Sequence, residues 1–203
     1  MNHRANMLGV LLVAGVGLLL CAVPTQAQDA IPTCFVHPTF DSAIIDKLYV
    51  LRGVDLSIER KGHTRFDKYV SVLTRKGFKR KGYKFEFDGS SSVDSVTQEN
   101  LSALSPEWIK TLGPAGARWV AMFVILDSAA GKTITAKAVC EMDIYVFDRV
   151  EGVVLYRSKD IIQVALGWMM TSGLAADEAM FGAINALVKK FPKRGEKPAP
   201  SSE

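Results

Sequence analysis

The chain has 203 residues, of which 48% are hydrophobic and 23% charged, and its formal net charge is +4 at pH 7. Once terminal segments of biased composition are set aside, about 165 residues remain, which favours one domain over several. The apolar fraction is sufficient for a hydrophobic core and excludes a chain that is disordered throughout.

Residues 1–27 have the pattern of a secretory signal peptide. Arg4 lies in a charged start, an apolar run extends from Met7 to Val23, and small residues precede a cut after Ala27. An uncleaved inner-membrane anchor is the alternative, because the apolar run approaches the length that spans a bilayer. Glycines in the run and Pro24 after it favour a cleaved signal over an anchor. We therefore expect a periplasmic or secreted protein without a further membrane span.

Cysteine usage fits an exported chain. Cys21 could carry a lipid, but Leu20 before it is bulkier than the small residue that the bacterial lipobox requires. Removal of the signal leaves Cys34 and Cys140, which could form a disulfide in an oxidising compartment. The alternative is a free Cys140 that packs in the core as a small hydrophobic residue.

Residues 28–46 contain Pro32 and Pro38 and show no hydrophobic period, so we expect an extended N-terminal arm. Two runs with strand-like alternation follow, at 47–52 and 54–58, and Gly53 marks a bulge or break between them.

A helix is predicted from Thr64, which with Asp67 resembles a capping box, to a C-cap at Gly77. A strand over Lys79–Asp88 comes next, and the order strand, helix, strand implies a parallel crossover.

Two short helices are then predicted, over Thr97–Leu104 and after the Ser105-Pro106-Glu107 start signal. The run Trp119–Leu126 has no polar side, which is typical of a strand covered on both faces. The segments Thr133–Phe147 and Val153–Asp160 alternate and predict an antiparallel hairpin. Its predicted core face comprises Ile134, Ala136, Ala138, Cys140, Met142, Ile144 and Val146.

The last helix is predicted over Ala175–Phe191, and residues 192–203 are rich in Pro, Lys, Ser and Glu, which predicts a disordered tail. The helix buries a stripe of Met180, Ile184, Leu187, Val188 and Phe191. The elements together predict an α/β (α+β) domain over residues 47–191. It has a single mixed sheet of about five strands, with an antiparallel hairpin in its C-terminal half, packed by about three helices.

Three stretches carry a resemblance to a known group: Leu73–Phe87 (LTRKGFKRKGYKFEF), Leu104–Ile125 (LSPEWIKTLGPAGARWVAMFVI) and Met142–Tyr156 (MDIYVFDRVEGVVLY). They resemble the periplasmic fold shared by the curli-secretion lipoprotein, the penicillin-binding-protein activator lipoprotein and the N-terminal domain of the TolB translocation protein. The resemblance implies a protein-binding or assembly role in the bacterial envelope. The chain departs from the lipid-anchored relatives in lacking their lipobox.

Catalytic and cofactor motifs are absent from the sequence. No nucleophile elbow, dinucleotide fingerprint or phosphate loop occurs, so we predict neither an enzyme nor a cofactor. Cys34 and His37 could supply two metal ligands, but structural zinc takes four, so no metal site is predicted.

Two candidate contact surfaces stand out. Residues 52–84 hold 11 Lys and Arg against 3 Asp and Glu. The basic patch within them comprises Arg75, Lys76, Lys79, Arg80, Lys81 and Lys84. It could meet an anionic lipid surface, peptidoglycan or an acidic protein, or it could be a solvated helix end and a lysine-guarded edge strand. Export disfavours nucleic acid. The apolar loop, Trp168, Met169 and Met170, could contact a partner or tuck under the last helix.

Three functions remain open from the sequence. The first is a non-enzymatic accessory or assembly protein of the envelope with protein partners. The second is a periplasmic module that binds a small molecule or polymer in a concave apolar site. The third is a hydrolase without a recognisable motif, which would need clustered polar groups with shifted pKa values in a cleft.

Overall fold

A computed structural model describes residues 34–57, 65–90, 93–167 and 169–196. The signal sequence, the predicted cap at Thr64 and the side chain of Trp168 lie outside the described residues. The strands are β1 (Cys34–Val36), β2 (Lys47–Leu51), β3 (Val54–Asp55), β4 (Lys84–Asp88), β5 (Trp119–Lys132), β6 (Ala136–Asp148) and β7 (Val153–Leu166). The helices are α1 (Phe66–Arg80), α2 (Gln98–Ala103), α3 (Pro106–Thr111) and α4 (Ser172–Lys190).

All seven described strands belong to one mixed sheet in the order β1-β7-β6-β5-β2-β4, with β3 beside β5. The mixed α/β architecture is confirmed, but the predicted counts of about five strands and three helices are too low. Two of the strands are very short: β1 has three residues and β3 has two. Such segments are too short to show the period-two alternation on which strand prediction rests.

The predicted connectivity of the sheet is confirmed. β2 runs parallel to β4 across α1, and β5, β6 and β7 form an antiparallel meander. The β5–β6 ladder has one register shift, between Ile125 and Asp127, so an irregularity divides β5 into an inner and a distal half.

The alternation in β6 places its side chains as predicted, with one exception. Six of the seven residues of the predicted core face, from Ala136 to Val146, are buried. Ile134 is 82% exposed, so its assignment to the core is wrong. The strand begins only at Ala136, and Ile134 belongs to the reversal between β5 and β6.

Helices cover both faces of the sheet. α1 and α4 pack on one face, against the core side of β6, while buried residues of α2 and α3 pack on the other face, against Met122 and Phe147. The hydroxyls of Thr97, Ser105 and Thr171 accept hydrogen bonds from backbone N–H groups and cap α2, α3 and α4. Within the described residues, no helix combines the length and apolar character needed to cross a bilayer.

Phe191 ends the buried stripe of α4 and is surrounded by aromatic rings. Its ring centroid lies 5.0 Å from Tyr156, 5.3 Å from Tyr83, 5.4 Å from Phe78 and 6.1 Å from Phe40. The angle between ring planes is 50–75° in three of these contacts and 89° in the contact with Tyr156. Such geometries are the favoured ones for aromatic pairs. The cluster joins the arm, α1, β7 and the end of α4.

The segment after α4 is ordered, which corrects the prediction of a disordered tail from residue 192. The Tyr83 hydroxyl donates to the Pro192 carbonyl at 3.2 Å, and Ser42 Oγ donates to the Glu196 carbonyl at 2.7 Å. The backbone N–H of Arg194 donates to the Lys81 carbonyl at 2.9 Å. A composition rich in Pro, Lys and Glu does not report these backbone hydrogen bonds, which depend on neighbours distant in sequence. Residues 197–203 lie outside the described part.

Gly77 does not end α1, contrary to the sequence prediction, because the helix continues to Arg80 and a left-handed Gly82 follows it. Gly77 instead lies where α1 crosses α4. A Cβ atom at this position would lie 2.1 Å from Cγ1 of Val188. The residue is therefore required by the close approach of two helices rather than by a backbone turn.

We expect Gly77→Ala to destabilise the fold by about 1–3 kcal/mol, since the added methyl group would overlap Val188 and force α1 and α4 apart. Urea unfolding would measure the change. The control is Val72→Ala on the exposed side of the same helix, where Val72 is 56% exposed and a loss below about 0.5 kcal/mol is expected. A Gly77→Ala protein as stable as the parent would contradict the proposed close packing.

Candidate functional site

The described part of the chain has a cleft at the end of the sheet where β5 begins and β6 ends. Arg118 lies directly before β5, and Asp148 is the last residue of β6, opposite Trp119. The Arg118 guanidinium donates to the Asp148 carboxylate through Nη2 at 2.9 Å and through Nε at 3.2 Å. It also lies over the Trp119 ring, 4.3 Å from its centroid. Two interactions thus fix the orientation of Arg118.

Asp148 is nearly buried and organises the hairpin turn as well. Its Oδ1 accepts the backbone N–H of Val150 at 3.0 Å and that of Glu151 at 3.3 Å. The hydrogen bond from Arg118 to Asp148 raises the pKa of the guanidinium, so this arginine stays charged. The turn and the guanidinium are therefore held by the same carboxylate.

Arg149 ties the turn to the loop that precedes β5. Its Nη1 donates to the carbonyls of Pro114 at 2.6 Å and Ala117 at 3.0 Å, and its Nη2 donates to the Lys110 carbonyl at 2.8 Å. Hydrogen bonds from one guanidinium to three carbonyls leave the loop that leads into Arg118 little freedom.

The Arg118 cleft has a volume of about 350 Å³, and a second depression of about 520 Å³ adjoins it. Its wall is apolar, formed by Ile44, Trp119, Val153 and Leu155, and its polar lining is His37, Thr39, Asp41, Arg118, Asp148 and Glu151. The ion pair neutralises Arg118 and Asp148, so Asp41 and Glu151 make the cleft net negative. Such a surface favours a ligand with a positive charge beside an apolar group.

His37 and Thr39 form the only imidazole–hydroxyl pair that lines the cleft. Nδ1 of His37 lies 2.7 Å from Oγ1 of Thr39, but it also lies 3.2 Å from the backbone N–H of Thr39. Two contacts between residues two positions apart describe a local turn of the arm. Across residues 34–57, 65–90, 93–167 and 169–196, no group of three His, Cys, Asp or Glu is placed to hold a metal.

The sequence alone did not identify this cleft. Arg118 and Asp148 are separated in sequence and resemble a strand flank and a turn residue, and the apolar wall comes from the arm, β5 and β7. One sequence signal could have indicated it: Asp148 and Gly152 frame the hairpin turn, and Asp148 is a carboxylate at the end of a buried strand.

A second polar cluster is buried in the middle of the sheet. Asp143 on β6 is fully buried, and its Oδ2 accepts hydrogen bonds from Arg157 Nε at 2.8 Å, Arg157 Nη2 at 2.6 Å and the Tyr145 hydroxyl at 3.1 Å. Oδ1 of Asp143 has no hydrogen-bond partner in the described structure. Burial raises the pKa of Tyr145, so the phenol stays a donor. The next pair along this face, Glu141 with Lys159, is only partly buried.

We expect Asp143→Asn to lower the free energy of unfolding by about 3 kcal/mol, because it leaves the largely buried Arg157 charge without its counter-ion. Glu141→Gln is the matched control, since it removes a carboxylate two positions away in a wetter pair and should cost about 0–1 kcal/mol. Denaturant unfolding of both variants compares them. Equal losses of unfolding free energy in the two variants would show that burial of the Asp143 pair does not increase its contribution to stability.

The possible disulfide between Cys34 and Cys140 is not formed, and the alternative of a free Cys140 in the core describes the structure: both cysteines are free, Cys34 exposed and Cys140 buried. Cys34 is on β1 and Cys140 on β6, and β7 lies between these strands. Two strand spacings are about 10 Å, more than the roughly 7 Å that a disulfide can bridge between Cα atoms. Cys140 instead packs in the core.

Thiol labelling of the native protein at pH 8 should modify Cys34 and spare Cys140. Burial raises the pKa of Cys140 to about 12, so its reactive thiolate is scarce and shielded. Peptide mapping should find Cys140 labelled only after unfolding in urea. Rapid labelling of Cys140 without denaturant would contradict its burial.

The basic patch lies on the C-terminal half of α1 and the start of β4. Five of its six residues are exposed, and Lys81 is partly buried, with Nζ donating to the Lys189 carbonyl at 3.1 Å. Burial lowers the pKa of Lys81. β4 is an edge strand of the sheet, and a lysine at its start is also typical of edge strands that are protected against association. An anionic partner for this patch stays a prediction.

The apolar loop keeps its two described residues accessible. Met169 is 73% exposed and Met170 is 44% exposed, immediately before the Thr171 cap of α4. These two methionines do not tuck under α4, and their role as a partner contact stays a prediction.

No family model matches the sequence, and no curated protein matches it. Solved structures with a similar fold include the PelC dodecamer from Paraburkholderia phytofirmans, at 10% identity and a TM-score of 0.49, over 81% of this chain and 96% of that chain. The lipoprotein GNA1162 from Neisseria meningitidis has 15% identity and a TM-score of 0.43, over 71% and 96%. The hypothetical protein CT253 from Chlamydia trachomatis has 14% identity and a TM-score of 0.47, over 71% and 94%. The likeness to the curli-secretion, penicillin-binding-protein activator and TolB group stays a prediction.

Proposed function

We propose that this chain is an exported protein of the bacterial cell envelope that binds a protein partner and does not catalyse a reaction. The observation that supports a binding role is the Arg118 cleft, which is open and lined by an apolar wall beside two carboxylates. The secretory pattern of residues 1–27 supports export.

The groups that face the cleft are suited to binding rather than to chemistry. Arg118 is held by Asp148 and by the Trp119 ring, and an arginine stays protonated at neutral pH, so it cannot serve as a base. The hydroxyl of Thr39 meets His37 in a local turn. A peptide segment with a Lys or Arg beside apolar residues would place its charge near Asp41 or Glu151 and its apolar groups on Trp119.

A photo-crosslinking amino acid at Ile44 tests this proposal in the native cell. Ile44 lines the cleft and is 53% exposed, so a probe there fits without disturbing the core. The control is a probe at Val72, which is 56% exposed on α1, away from the cleft. We expect a discrete protein adduct from position 44 that is absent from position 72.

Two results would count against the proposal. Adducts of equal yield at both positions would indicate random collisions, and no adduct at position 44 would indicate that the cleft holds no protein. Asp41→Lys with Glu151→Lys should reduce the specific adduct at least tenfold, because the acidic lining becomes basic.

A small ligand is the second candidate, since a cleft of about 350 Å³ lies in the size range of small-molecule sites. Native mass spectrometry of protein isolated from the envelope separates the two functions. A bound species with a mass below that of a peptide would favour the small ligand over the protein partner. It should be lost in the Asp41→Lys/Glu151→Lys protein.

A further inference from the structure

The distal part of β7, residues 160–166, forms a free edge of the sheet. On one side it is paired continuously with β6, from Asp160 opposite Met142 to Leu166 opposite Ala136. On the other side β1 covers β7 only from Tyr156 to Ser158. No strand of the described chain pairs with the free edge, so the outward-facing backbone groups of Gln163 and Ala165 have no strand partner. The backbone N–H of Ile161 donates locally to Oδ1 of Asp160 at 3.0 Å.

The free edge lacks the features that normally prevent edge association. Its sequence is DIIQVAL, without Pro, Gly or Lys, and its ladder with β6 contains no register shift. Its one charge, Asp160, is neutralised by Lys190 at 3.0 Å. By contrast, the edge strand β4 carries Lys84, Glu86 and Asp88.

We propose that a second copy of this chain pairs with the free edge, antiparallel and centred on Gln163. In this register Gln163 meets its own equivalent, Ile161 meets Ala165, and Ile162 meets Val164 across a two-fold axis. Asp160 falls opposite Leu166, so no like charges face each other although each copy carries a net positive charge. The segment is self-complementary in both polarity and β-propensity.

The side chains agree with an exposed, pairing strand. Ile161 is 51% exposed on the face away from α4, and Val139 of β6, which lies opposite Gln163 on the same face, is 37% exposed. Pairing would join the distal parts of β5, β6 and β7 from both copies into one six-stranded sheet. The exposed faces of the two copies would then be continuous. Within the described residues, β1 begins at Cys34, so the edge of β7 beyond Ser158 has no neighbouring strand.

This inference does not rest on the proposed function. At about 3.3 Å per residue, β7 separates Val153 in the Arg118 cleft from Gln163 by about 33 Å. A partner in the cleft and a second copy at the free edge would use different surfaces, so either can fail alone.

Cysteine crosslinking tests the register. In a Cys34→Ser background, Gln163→Cys should form a disulfide-linked dimer under mild oxidation, since directly opposed Cα atoms lie about 4.5–5.5 Å apart. Ile161→Cys is the matched control on the same strand face, because its symmetry equivalent would be about 13 Å away along the strand. Equal crosslinking of both variants, or none with Gln163→Cys, would overturn the proposed pairing.

Sedimentation velocity of the unmodified sequence tests association itself. We expect a monomer–dimer equilibrium in the micromolar range, weakened at least tenfold by Ile161→Lys with Gln163→Lys, which places four like charges together. Val139→Lys, on the same face but in the inner strand β6, should leave the equilibrium within about twofold. A monomer at every concentration overturns the proposal, and equal loss in both variants shows stacking of exposed faces instead. Unchanged thermal unfolding confirms that the variants are folded.

Discussion

The packing of Phe191 among four aromatic rings joins elements from both ends of the described chain. Phe40, Phe78, Tyr83 and Tyr156 come from the arm, α1, the segment before β4, and β7, and all meet this one side chain at the end of α4. Burial of an aromatic side chain contributes several kcal/mol, and tilted ring pairs add to it. The segment after α4 and the arm are then joined by hydrogen bonds around the cluster, so the two ends of the described chain stabilise the same region.

The sheet therefore has two ends with different properties. At the end where β5 begins, the arm, the hairpin turn and the first residues of β5 and β7 enclose the Arg118 cleft. At the opposite end, β5, β6 and β7 are longer than the layer formed by α2 and α3, so one face and the edge of β7 are open. Between them, the buried pair of Asp143 and Arg157 marks the transition from an apolar to a charged face. One fold thereby separates a concave surface for binding from an extended edge suited to pairing.

Much of the fold was predictable because local patterns agreed with tertiary packing. The alternation of β6 and the stripe of α4 follow from periods of two and 3.6, and the cap at Ser105 follows from local hydrogen bonding. The failures occurred where a distant neighbour determined the outcome. Gly77 was assigned to a helix end, whereas Val188 on another helix requires it. Cys34 and Cys140 were paired as candidates, whereas β7 lies between their strands.

The class of fold, the apolar central strand, the antiparallel hairpin and the cap at Ser105 were predictable from the chain alone, because each depends on residues close together in sequence. The strand order, the joining of Arg118 to Asp148, the burial of Asp143 and the free edge of β7 became apparent only in the folded protein. These features arise from contacts between segments far apart in sequence, and the side chains involved carry no local signal of which neighbour they will meet. The candidate cleft belongs entirely to this second group, since its lining comes from segments that only the folded sheet brings together.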